Sequence, residues 1–85
     1  MPKVEIYTKV MCPYCVRAKA LLDQKGVTYE EIIAASDPER KQEMMQRSGG
    51  RATYPQIFIG DEHIGGCDDL LSLERRGKLD AKLAA

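Results

Sequence analysis

The sequence predicts an α/β fold, a four-stranded mixed sheet with helices on both faces in the order βαβ, α, ββ, α. Three observations predict it. A β-branched run, an amphipathic stretch and a second β-branched run follow one another with short connections, the pattern of a βαβ unit. Gly60-Asp61 separates two apolar runs as a tight hairpin turn does. A leucine-bearing amphipathic stretch follows that hairpin, and 85 residues leave room for one domain only.

Val4-Glu5-Ile6-Tyr7-Thr8, between Lys3 and Lys9, reads as a strand and is expected to be central. From Pro13 to about Lys25 the pattern is helical, with Val16, Ala20, Leu21 and Leu22 on the inner side and Arg17, Lys19, Asp23 and Gln24 on the outer. Pro13 suits the first turn and Gly26 the stop, which puts Cys12 at or beside the N-cap. Val27 to Ile33 makes the second strand, parallel to the first through a right-handed crossover. Ser36 or Asp37 caps a second helix that carries Pro38 in its first turn, places Met44-Met45 as core volume and ends near Arg47 before Gly49-Gly50. Gln56 to Ile59 and Glu62 to Gly65 form the hairpin after Tyr54-Pro55. Asp68-Asp69 suits the positive end of a third helix through Leu70, Leu71 and Leu73 to about Arg76, where Arg75-Arg76 complements the negative end. Leu79 to Leu83 adds a further helical turn. The arrangement is thioredoxin-like.

Thirteen basic and thirteen acidic residues cancel, so no global field recruits nucleic acid or an anionic membrane. No run approaches membrane-spanning length and the N-terminus lacks the apolar core of a signal peptide, so the expectation is a soluble cytoplasmic protein. Three cysteines at uneven spacing do not make a disulfide scaffold, which points the close pair Cys12-Pro13-Tyr14-Cys15 toward catalysis or metal binding.

Thiolates, not thiols, attack disulfides. At a helix start, unpaired backbone N–H groups and the positive end of the macrodipole stabilise an anion at Cys12, and Lys9 adds a positive charge. Cys15, one turn further in, gains less from these donors and is expected to be more buried. Cys12 is therefore the candidate nucleophile and Cys15 the resolving thiol, while Pro13 stiffens the turn and Tyr14 covers one side of the sulfur.

Beyond the pair, Thr8-Lys9, Ala18-Lys19, Thr53-x-Pro55, Ile57-Phe58-Ile59-Gly60 and Ile64-Gly65-Gly66-Cys67-Asp68-Asp69-Leu70 stand in the order and spacing of a dithiol glutaredoxin, and the chain resembles the small bacterial members over nearly its whole length. The resemblance implies a glutathione-dependent thiol-disulfide oxidoreductase acting on glutathionylated proteins and on protein disulfides such as that of ribonucleotide reductase. Glutathione is implied as co-substrate, with no metal, nucleic acid or membrane partner, and the protein as a monomer. The family's proline at Pro55 is cis, and the residue before it pairs with the substrate through its backbone. Tyr54 and Pro55 inherit that role, with Thr53 beside them. The helix start at Cys67 and Asp68 is implied to hold the γ-glutamyl end, Tyr14 to flank the sulfur, and Lys9, Arg51 and more weakly Gln42 to meet the glycyl carboxylate. Tyr54 departs from the valine usual in the family, and its ring is expected to stack over glutathione or narrow the groove.

Rival readings remain. Cys12, Cys15, His63 and Cys67 supply four possible zinc ligands, although Pro13-Tyr14 is not a typical knuckle filling and the Thr53-x-Pro55 block would go unexplained. An iron-sulfur carrier is the second rival, disfavoured by Pro13 directly after the first cysteine. A thioredoxin-reductase-dependent oxidoreductase is the third, disfavoured by the glutathione-shaped blocks. Cys67 reads as a small residue packed at the third helix, with a secondary redox thiol as the sharper alternative, and His63 as a solvent-facing strand residue.

Overall fold

The computed structural model describes residues 2–85. Its elements are β1 (Val4–Thr8), α1 (Pro13–Gln24), β2 (Tyr29–Ile33), α2 (Pro38–Arg47), β3 (Gln56–Ile59), β4 (Glu62–Gly65), α3 (Cys67–Arg75) and α4 (Leu79–Ala84). The strands form one sheet in the order β2-β1-β3-β4. β1 is parallel to β2 and antiparallel to β3, and β3 is antiparallel to β4. The fold is thioredoxin-like, and β1 is interior as its apolar run predicts.

Alternation along the strands divides the core between two faces. Val4, Ile6, Ile57 and Ile59 point to a cluster with Ala18, Leu21 and Leu22 of α1, Leu70 and Leu73 of α3, and Leu79 and Leu83 of α4. Tyr7, Ile32 and Phe58 point to the opposite face, where Met44 of α2 closes a smaller cluster.

The expected face of α1 needs correcting. Cys15, Ala18, Leu21 and Leu22 are its buried residues, whereas Val16 is 61% exposed and Ala20 also faces solvent. The inner stripe begins at Cys15, which turns the helix away from the phase that Val16 suggested. β2 begins at Tyr29 rather than Val27, because the Val27 N–H donates to the Leu22 carbonyl at 3.4 Å and belongs to the helix exit. Asp37, not Ser36, caps α2, accepting from the Arg40 N–H at 3.3 Å.

α3 begins at Cys67 with Gly66 as its N-cap, slightly earlier than Asp68. Asp69 reaches back to accept from the Gly66 N–H at 2.9 Å, so the carboxylate satisfies a donor at the helix entry. Gly65 is required here. Its φ is +117°, and a Cβ would lie 2.2 Å from the Asp69 carboxylate.

Candidate functional site

Pairing of Tyr7 with Gln56 brings the end of β1 beside the start of β3, so the loops leaving β1 and entering β3 meet at one end of the sheet. The starts of α1 and α3 lie at the same end.

Cys12 is the N-cap of α1, with φ −110° and ψ 105°, and its Sγ accepts the Cys15 N–H at 3.2 Å. The sulfur thereby satisfies one of the backbone donors left open at the helix start. Met11 before it has φ +57° and a side chain 94% exposed, so the loop turns sharply at the motif with its apolar side chain outward. Burial does not distinguish the two sulfurs, because Cys12 is 4% exposed and Cys15 is 2% exposed. Their environments do: burial first, and then the hydrogen bond with Cys12, push the Cys15 thiol up to about 12, against the opposing Lys9 N–H and Lys19 charge. All three cysteines are free thiols.

Beside the pair, at Tyr14, lies a cavity of about 170 Å³ that neither Cys12 nor Cys15 lines. It brings together Tyr14, Arg51, Thr53, Tyr54, Pro55, Cys67 and Asp68, all anticipated from the sequence, and adds Gly66 and Asp69. Lys9 and Gln42 are exposed and do not line it. Tyr14 is 56% exposed, as a flanking ring should be. The Tyr54–Pro55 peptide is cis. Arg51 pairs with Asp69 at 3.4 Å, leaving a cation and two carboxylates, Asp68 and Asp69, on one rim. An anion meeting Arg51 and the backbone donors of α3, with an ammonium meeting Asp68, fits that arrangement chemically.

Tyr54 does not project over the groove as expected. Its ring packs against the cluster of Tyr7, Met44 and Phe58, and its hydroxyl is buried with no hydrogen-bond partner among the described residues. Burial, then the charge of Cys15, pushes its pKa above the ordinary phenol value and keeps it protonated. Cys67 is 4% exposed and belongs to the larger core, and burial raises its thiol, which agrees with a packing role.

His63 is half-buried, not solvent-facing. Its Nε2 lies 2.7 Å from Gln56 Oε1 and its ring stacks on Phe58 at 4.9 Å. It is committed away from the thiols, and among the described residues no group of three or more His, Cys, Asp or Glu is arranged to hold a metal ion. The zinc set Cys12, Cys15, His63 and Cys67 does not assemble. Sequence reasoning gave Gly66 and Asp69 no binding role at the cavity, although an acidic residue three positions after Gly66 is a signal that could have singled out Asp69.

The Glutaredoxin family model matches residues 4–64. Glutaredoxin 3 of Escherichia coli (strain K12) is 57% identical over 83 residues, 98% of this chain and 99% of that protein. The solution structure of glutaredoxin from Brucella melitensis is similar with a TM-score of 0.83 at 56% identity, covering 100% of this chain and 94% of that one. The crystal structure of a buckwheat glutaredoxin-glutathione complex has a TM-score of 0.84 at 37% identity, covering 98% of this chain and 77% of that one. Among the described residues, no helix is long and apolar enough to cross a membrane.

Proposed function

The chain belongs to the glutaredoxin family of thiol-disulfide oxidoreductases, and on that premise we propose that it reduces protein-glutathione mixed disulfides through Cys12, with glutathione as co-substrate. The Cys12 thiolate attacks the glutathione sulfur of the mixed disulfide. The protein thiolate leaves and takes up a proton, and Cys12 carries glutathione. A second glutathione thiolate attacks that sulfur, releasing glutathione disulfide and restoring Cys12. On protein disulfides, such as that of ribonucleotide reductase, Cys12 forms the mixed disulfide and Cys15 displaces the substrate, leaving Cys12 and Cys15 oxidised.

The observation that carries the reading is the cavity beside the helix-capping sulfur, with Arg51, Asp68 and the start of α3 on its rim. Its groups suit the opposite charges of a tripeptide zwitterion. In the proposal the Tyr54 backbone pairs with the cysteinyl unit beside Pro55 and Thr53, Cys67 and Asp68 hold the γ-glutamyl end, Arg51 the glycyl carboxylate, and Tyr14 flanks the sulfur. Lys9 contributes long-range charge rather than contact. The protein is proposed to act as one cytoplasmic domain and as a monomer.

A coupled assay with glutathione, glutathione reductase and a glutathionylated peptide tests this. Cys12→Ser is expected to lose turnover by about 10³-fold or more, since a hydroxyl replaces the nucleophile, while Cys15→Ser keeps deglutathionylation and loses protein-disulfide reduction. Equal activity in the two variants would overturn the assignment.

A further inference from the structure

Gln56, the first residue of β3, is fully buried. Its Nε2 donates to both the carbonyl oxygen and the hydroxyl of Thr53 at 3.0 Å, so its amide oxygen faces the other way, toward His63 Nε2 at 2.7 Å. An amide oxygen only accepts, so the His63 proton sits on Nε2 and the tautomer is set. Two ends of one amide are thus told apart by a single histidine.

His63 reaches this position through the register that the tight turn sets. Ile59 pairs with Glu62 and Phe58 with His63, so His63 shares the face of Phe58 and Gln56, and its ring, tilted by 31°, rests on Phe58. A β-bulge follows, since Ile57 pairs with Gly65 and leaves Ile64 as the additional residue on β4.

Resting on the glutathione reading above, we propose that Gln56 and His63 are positioning residues for the substrate: they fix the Thr53–Pro55 segment so that the Tyr54 backbone is held ready for the cysteinyl unit of glutathione. Gln56 occupies the Thr53 carbonyl, whereas neither the N–H nor the C=O of Tyr54 is taken by another backbone group among the described residues. Without the His63 donor, the Gln56 amide keeps only its Thr53 contacts and loses one of the two sides that fix its orientation. A rotated amide sets oxygen against the Thr53 carbonyl oxygen, two acceptors face to face, and the segment moves away from its substrate-binding position.

Steady-state kinetics with a glutathionylated peptide on the wild type, Gln56→Met, His63→Phe and His63→Gln test this, alongside thermal melts and the rate of Cys12 alkylation by iodoacetamide. KM is expected to rise about five- to tenfold in Gln56→Met and His63→Phe, the scale of one lost hydrogen bond. The expectation includes kcat within about twofold and an unchanged alkylation rate, the split that separates binding from chemistry. His63→Gln, which restores a donor, is expected to recover most of the lost affinity. Wild-type KM in His63→Phe overturns the inference, and so does a KM rise matched by an equal fall in alkylation, which would mean general loosening. If Gln56→Met does not fold, the contrast between His63→Phe and His63→Gln decides. A wild-type protein inactive on the peptide refutes the glutathione reading itself, an outcome separate from these.

Discussion

On the face of the sheet covered by α1, α3 and α4, the core is Val4, Ile6, Leu22, Ile57, Leu70 and Leu79, aliphatic side chains interlocked without an internal charge. The face covered by α2 is closed differently. Met44 is the one fully buried residue of that helix, and around it Arg47 lies 4.1 Å above the Phe58 ring while donating to Glu5 at 2.9 Å and to the Tyr7 hydroxyl at 2.8 Å. Tyr7 in turn donates to Glu43, and burial, then the Glu43 hydrogen bond, keeps that phenol protonated. Aliphatic packing is non-directional and supplies mass and stiffness, so it serves as the platform from which the starts of α1 and α3 meet the cavity. Hydrogen bonds are directional, and on the α2 face Arg47 orients the side chains of Glu5 and Tyr7 while Gln56 holds the Thr53 carbonyl.

The two faces therefore respond differently to substitution. Leu22→Ala removes a fully buried side chain from the aliphatic face and is expected to cost about 2–5 kcal/mol, read as a lowered denaturant midpoint, with KM for glutathionylated peptide little changed. A large KM effect would break the division between platform and orientation. Arg47→Met is expected to cost about 1–3 kcal/mol because it leaves the largely buried Glu5 carboxylate without its hydrogen-bond donor, while Tyr7 keeps Glu43. Arg47→Lys recovers little, since a lysine cannot reproduce the forked donation or lie flat on Phe58. Replacing both charges, as Glu5→Leu with Arg47→Met, is expected to be milder than Arg47→Met alone, because no unpaired carboxylate is left behind. If the double variant is worse, the network contributes net stability and the contrast with the aliphatic face sharpens.

The elements legible in the sequence are those whose signals are local. Pro13 and Pro38 mark helix starts, Gly26 and Gly60 mark stops, and the β-branched runs of β1 and β3 read directly as strands. The site was legible where it rests on spacing, as in the cysteine pair, Thr53 to Pro55 and the start of α3. What was not legible depends on partners far along the chain. The rotation of α1 that buries Cys15 and exposes Val16 is set by the sheet beneath it. The fate of His63 turns on Gln56 and Phe58, which it meets only once β3 and β4 pair, and Tyr54 turned inward because the Tyr7–Phe58 cluster offered its ring apolar contact.

The smallest expected effect lies at one margin of the aliphatic face, where an ion pair sits partly in water. Glu31 of β2 accepts from the Thr8 hydroxyl at 2.8 Å and from Lys19 of α1 at 3.0 Å. The Thr8 hydrogen bond, and after it Lys19, outweighs partial burial and holds Glu31 below its ordinary carboxylate value. A depressed folded value means that folding favours the ionised form, so this stability is present above the unfolded value of about 4.3 and is lost as pH falls through the lower folded value. With the Lys19 and Glu31 side chains 28% and 32% exposed, solvent screens the pair, and Glu31→Gln is expected to cost about 0.5–1 kcal/mol at neutral pH. Denaturant melts of both proteins from neutral to acid pH should converge as Glu31 protonates. A difference that persists into acid would assign the effect to the shape of the hydrogen bond with Thr8 rather than to charge, and would make this margin resemble the α2 face after all.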